Sequence, residues 1–311
     1  MFGLGNSHSG IEGHNTEREF SHQESESRVH SRVVLEFMRH GKKEKTADGQ
    51  TDEDVRLIPS ARTAAREKGL GLAPQLEVSA VVASPRKRAQ ESATHVMLSG
   101  QPDTTGMSME EIEAEIAKQL KYGKKIIPDS RLDFFTDKGG LLDKAYAEGW
   151  VTKFMVENSD QVAIADDDPQ MTSITRVAGN VADLILRYVE MGGNFNRLVG
   201  RNPKKYEPLK SQMERYLGTH ATINESFLLR LVEKLQGVDR RNEVMAKIGP
   251  MFKELQGFRV EIENTGPAQQ EIHIKVKLGD EDIDLVVPKV VLEELVADRD
   301  EFNKKFQTSD K

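Results

Sequence analysis

The chain has 311 residues, of which 37% are hydrophobic, with 44 Lys and Arg against 51 Asp and Glu for a net charge of −7. That balance argues against a general nucleic-acid or anionic-membrane partner. The absence of cysteine excludes disulfides, thiolate metal sites and thiol nucleophiles. No apolar run approaches the ~20 residues of a membrane span. The start Met1-Phe2-Gly3-Leu4 has neither a basic nor an apolar stretch, so no secretory signal and a cytoplasmic location are expected.

Residues 1–30 are poor in large apolar side chains and are expected to be a disordered polar tail. Order is expected from residue 31 onward. Val33-Val34-Leu35-Glu36-Phe37-Met38 reads as a buried strand that ends at Arg39-His40-Gly41. A helix is predicted over Pro59–Lys68, with Gly69 as its stop. Val78–Ala83 is a second buried strand. It runs into Ser84-Pro85, an N-cap pattern for a helix reaching about Leu98. Strand–helix–strand–helix order predicts an α/β fold with a mostly parallel central sheet and helices on both faces.

From about 101 to 171 the pattern loosens, and an insert on the sheet is expected. Within it Ser108 and Glu111 form a capping box, with Ile112, Ile116 and Leu120 on one helical face. Asp166-Asp167-Asp168 lacks the spacing of a cation loop and reads as a turn. A long helix follows over Ser173–Met191, with Val177, Val181, Leu184, Ile185 and Tyr188 inward and Gly192-Gly193 as terminator. Arg215–Thr219 is a short strand leading to His220, and Asn224 is the expected cap of a helix running to Gln236. Alternation at Val260/Ile262, Ile272/Ile274/Val276 and Ile283/Leu285 predicts strands over about 257–286, with a hairpin turn at Gly279–Asp282. These strands are expected to extend the sheet's edge or to form a small lobe, and Lys289–Phe306 is a polar helix.

Three strand ends carry basic residues: Arg39-His40, then Arg86-Lys87-Arg88, then His220. In an open α/β sheet, ligands bind at the carboxyl ends of strands. Two histidines and two arginines gathered there would make an anion site, because guanidinium forks match phosphate oxygens. Arg39-His40-Gly41, the segment from Ser84 through Arg88-Ala89 to Ser92-Ala93, the Leu57–Ala65 helix start and the late Thr219-His220 pair resemble, in order, the motifs of the histidine phosphatase superfamily. Ser92 stands where that family usually has threonine. The resemblance implies a phosphoglycerate mutase-like, three-layer α/β/α fold.

It also implies roles. His40 would attack phosphorus and form a phosphohistidine. Arg39, Arg88 and His220 would hold the phosphoryl oxygens. No metal and no cofactor would be needed. The substrate would be a phosphorylated small molecule or a phosphoprotein. The leaving group needs a general acid, and Asp133 is the nearest candidate. Ala221 fills the place where one branch of the family carries an acid, and Glu36 lies inside the first strand. Arg86 and Lys87 are expected to face solvent, as are Lys42, Lys43 and Lys45. The reaction implied is phosphoric monoester hydrolysis. The alternatives are a mutase, a phosphoprotein or phosphohistidine phosphatase, and a non-catalytic phosphate-binding or scaffold protein.

Overall fold

Alternate residues of the first strand bury themselves on opposite sides. Val33, Leu35 and Phe37 join one apolar cluster, Val34 and Met38 another. A strand so divided must have both faces covered, and its sequence is accordingly a near-continuous apolar run. The structure is a computed structural model. It describes residues 31–72, 78–98, 107–108, 111, 114, 126–134, 140–201, 213–218, 221–266 and 269–306. The expected tail at 1–30, the helical face of Ile112, Ile116 and Leu120, and Thr219-His220 lie outside these.

The strands are β1 (Ser31–Arg39), β2 (Val78–Ala83), β3 (Ile126–Pro128), β4 (Met213–Gly218), β5 (Gly257–Gly266), β6 (Gln269–Leu278) and β7 (Glu281–Val286). They form one sheet in the order β3-β2-β4-β1-β5-β6-β7. Pairings from β3 to β1 are parallel, and those from β1 to β7 are antiparallel. The sheet is therefore mixed, not mostly parallel as expected. Connection length accounts for the last of these pairings. A parallel return needs a crossover of a dozen or more residues, and β6 turns into β7 through Gly279-Asp280 alone, with Gly279 at φ 63°.

The helices are α1 (Pro59–Leu72), α2 (Lys87–Leu98), α3 (Leu141–Ala147), α4 (Val151–Ala165), α5 (Ile174–Arg201), α6 (Ala221–Gln236), α7 (Val238–Ile248) and α8 (Lys289–Lys304). Ala65 and Leu72 of α1 with Ala89, Ala93 and Val96 of α2 pack against Val34 and Met38. Val181 and Ile185 of α5, Phe227 and Leu231 of α6 and Leu295 of α8 cover the other face. This gives helix, sheet and helix layers. Phe258 on β5 stacks between Phe37 at 4.7 Å and Phe227 at 5.2 Å, tying the antiparallel half to the same core. No described helix is long and apolar enough to cross a membrane.

Two glycines read as helix stops have another task. Gly69 lies inside α1, where a Cβ would come within 2.1 Å of Val96 O on α2. Gly192 lies inside α5, where a Cβ would meet the Asn264 side chain at 2.5 Å. Both permit a close approach instead of ending a helix. Likewise Asn224 is not a cap. It sits in the first turns of α6, wholly buried. The stretch expected as an insert supplies the edge strand β3, and its capping box is present. Glu111 accepts from the Ser108 N–H at 2.7 Å and Ser108 Oγ from the Glu111 N–H at 3.3 Å.

Candidate active site

The parallel strands set the site. β1, β2 and β3 all deliver their next residues at the same end of the sheet. From β1 come His40 and Gly41; from β2, Ser84 to Arg88; and from β3, through a 3-10 turn at Ser130–Leu132, Asp133. β4 lies between β1 and β2, and its last residue, Gly218, pairs with Arg39.

His40 is 5% exposed. Its Nδ1 lies 2.6 Å from Gly41 O, and its Nε2 lies 3.3 Å from Arg88 Nε. The hydrogen-bond network assigns the proton to Nδ1, since a carbonyl oxygen only accepts and the guanidinium only donates. The lone pair then lies on Nε2, beside a cation. Ser92 holds this arrangement together. Its hydroxyl accepts from the Gly41 N–H at 3.0 Å and donates to Arg88 O at 2.8 Å. A serine suffices where threonine is usual, because the hydroxyl does the joining. Gly41 leaves little room, since a Cβ there would lie 3.1 Å from Ala61 Cβ.

Arg86 departs from expectation. It is 6% exposed and points into the site. Helical spacing does not govern it, because it precedes α2 in a bend where its N–H donates to Ser84 Oγ. Its Nε donates to Asp133 Oδ1 at 2.6 Å, and its terminal nitrogens reach Asp52 Oδ2 and Phe134 O. Lys87 is exposed, as expected.

Asp133 is buried beneath the site, but it holds Arg86. Its Oδ1 also takes the Phe134 N–H at 2.8 Å. Its other side borders a cavity of about 170 Å³ lined by Thr172, Arg176, Asn180, Arg299 and Asn303. Glu36 is remote from this chemistry. It pairs with Arg259 and borders a cavity of about 740 Å³ across β1 and β5–β7, which none of the catalytic candidates lines.

Sequence reasoning missed Asp52. It opens a 3-10 turn (Asp52–Asp54) and takes hydrogen bonds from Arg88 at 2.8 Å, from Arg86 and from Lys43 at 2.6 Å. Burial pushes its carboxyl up, but the hydrogen bonds from Arg88 and Lys43 outweigh that and hold it well below the usual carboxylate range. Lys42, Lys43 and Lys45 are all exposed, as expected, but Lys43 also reaches Asp52. No local signal marks Asp52 out. It is one acidic residue in an acidic, exposed loop, and its partners are 9 to 36 positions away in sequence.

Arg39 turns toward the α6 side, donating to Phe252 O. Nearby, Glu225 is 1% exposed and accepts from the Phe252 N–H. Burial raises its pKa to about 8, against a smaller opposing effect of that hydrogen bond and of Arg39. The described contacts bring together His40, Arg86, Arg88, Asp52 and Asp133. They place Arg39 with Phe252 and Glu225, and His220 lies outside the described residues. Among the described residues no three His, Asp or Glu side chains converge to hold a metal.

Residues 35–126 match the family model of the histidine phosphatase superfamily (branch 1). The matched segment holds the Arg-His-Gly turn and the Arg88 helix, so the resemblance read from those motifs is found independently. Solved structures similar to this chain include a phosphoglycerate mutase from Bacillus anthracis str. Sterne, at 14% identity and TM-score 0.44, over 87% of this chain and 97% of that one. A putative phosphohistidine phosphatase from Agrobacterium tumefaciens is 12% identical, with TM-score 0.33, over 75% and 91%. A mycobacterial glucosyl-3-phosphoglycerate phosphatase is 16% identical, with TM-score 0.38, over 76% and 91%. No match was found among curated proteins.

Proposed function

We propose that the protein hydrolyses phosphoric monoesters through a phosphohistidine on His40. One observation carries this. His40 presents Nε2 to the Arg88 guanidinium while Nδ1 is held on Gly41 O. A nucleophile must be neutral at the attacking nitrogen, and the second hydrogen bond secures that tautomer.

In this reading the Nε2 lone pair attacks phosphorus and the ester P–O bond breaks, its electrons leaving with the alcohol oxygen. Arg88 offsets charge on the phosphoryl oxygens, and the family resemblance adds Arg39 and His220 to it. Water then attacks the phosphohistidine. The P–N bond breaks, Nε2 regains its lone pair and phosphate leaves. The positive charge comes from side chains, so the chemistry needs no metal.

The leaving oxygen needs a proton unless it departs well as an anion. Asp133 is tied to Arg86, which favours a second reading: a phosphoprotein or phosphohistidine phosphatase, whose leaving group needs less help. p-Nitrophenyl phosphate serves both readings, because its phenolate leaves unaided. Turnover in EDTA that disappears in His40→Ala is the expected result. Turnover that the mutant retains, or that EDTA abolishes, would refute the histidine mechanism.

A further inference from the structure

We infer that Asp52 is a specificity-determining residue: it fills the anion site with the chain's own carboxylate, so that only a phosphoryl dianion displaces it. The inference rests on the reading that phosphoryl groups bind beside His40.

Every nitrogen of the two guanidiniums already has a partner. Arg88 gives Nε to His40, one terminal nitrogen to Asp52 O and the other to Asp52 Oδ2. Arg86 gives Nε to Asp133, one terminal nitrogen to Phe134 O and the other to Asp52 Oδ2. A phosphoryl group arriving at His40 Nε2 therefore meets guanidinium nitrogens that are each already engaged. Those it can recover are the ones Asp52 holds, one each on Arg86, Arg88 and Lys43. Three cationic donors on one side chain match three phosphoryl oxygens, with the carboxylate standing in for two of them.

Charge decides which ligands succeed. Asp133 offsets Arg86. Of the groups that pair with Asp52, Arg88 and Lys43 then carry two positive charges against its one negative charge. With Asp52 in place these donors are short of charge for a dianion, and with Asp52 withdrawn the two balance. A monoanion gains nothing over the carboxylate it must replace, while a dianion gains the second charge. Withdrawal is feasible because Asp52 lies on the exposed loop 42–54, with its own side chain 44% exposed.

The test measures binding of orthophosphate and of dimethyl phosphate, a monoanion, to the full chain by calorimetry at pH 8. The wild type, Asp52→Asn and Asp52→Ala are compared. Both variants are expected to bind phosphate about tenfold more tightly, ~1.4 kcal/mol, and to bind dimethyl phosphate measurably where the wild type does not. Equal or weaker phosphate binding by both folded variants would overturn the inference and leave Asp52 as a positioning residue for Arg88. The tenfold gain without turnover of p-nitrophenyl phosphate by any variant would keep the gate and remove the hydrolase. His40-dependent turnover without the gain would do the reverse.

Discussion

Glu225 and His95 show what burial does to a titratable side chain in this protein. His95 is wholly buried with neither ring nitrogen bonded, and burial followed by repulsion from Arg66, Arg62 and Arg56 lowers its pKa to about 4. Its contribution to stability is present above about pH 6.5 and lost as pH falls toward 4. Glu225 acts in the opposite sense. With a folded pKa of about 8 against 4.5, it stays protonated in the fold, so its contribution is complete below pH 4.5 and lost as pH rises through 8. Glu225→Gln keeps an acceptor for the Phe252 N–H and removes the ionisation. Urea melts of the two proteins should nearly coincide at pH 5, and the variant should be the more stable at pH 8. A gap that does not widen with pH would mean that Glu225 is ionised in the fold.

At the scale of elements, α1 and α2 are the pair that frames His40 from below. Gly69 fixes how closely they approach. Alanine would ordinarily gain about 1 kcal/mol in a helix interior over glycine. Here its Cβ would stand 2.1 Å from the backbone oxygen of Val96, which cannot turn aside. Overpacking of that kind costs about 1–3 kcal/mol, so Gly69→Ala should lower the denaturation midpoint despite its better helix propensity. A raised midpoint would show that the helices separate freely. The same glycine explains part of what the sequence hid. Strands β1 and β2 were legible as short apolar runs, α1 and α2 from the Pro and Ser at their starts, and α5 and α6 from the helical period of their inward residues. A glycine in a close crossing and one after a helix look alike in one dimension. The three residues of β3 are too few to show any period, so Asp133 was reached through family resemblance and its strand was missed. Arg86 was misplaced by assuming the helix began two residues early, at Pro85 and not Lys87, and Asp52 has partners only in three dimensions.

For the whole molecule, the central question is what the segment from β5 onward adds. It contributes three of the seven described strands and places Phe258 between Phe37 and Phe227. It is not an appendage to a finished sheet, because β1 would otherwise be an exposed apolar edge. Deleting residues 257–311 should therefore yield a chain that binds a hydrophobic dye and unfolds without a cooperative transition. A soluble 1–256 fragment with a sharp melt and His40-dependent turnover would show the parallel half to be self-sufficient.

Strand β1 has a further consequence, for the order of events in time. It is the first described segment of the chain, yet its neighbours are β4 at 213–218 and β5 at 257–266. During synthesis Val33–Met38 leaves the ribosome long before either partner exists. Both pairings close loops of well over a hundred residues, the kind of contact that slows folding. A nascent chain of this protein therefore carries an unpaired, β-branched apolar strand for most of its translation. The stretch that later seats His40 is, until then, exposed to aggregation and dependent on protection by chaperones.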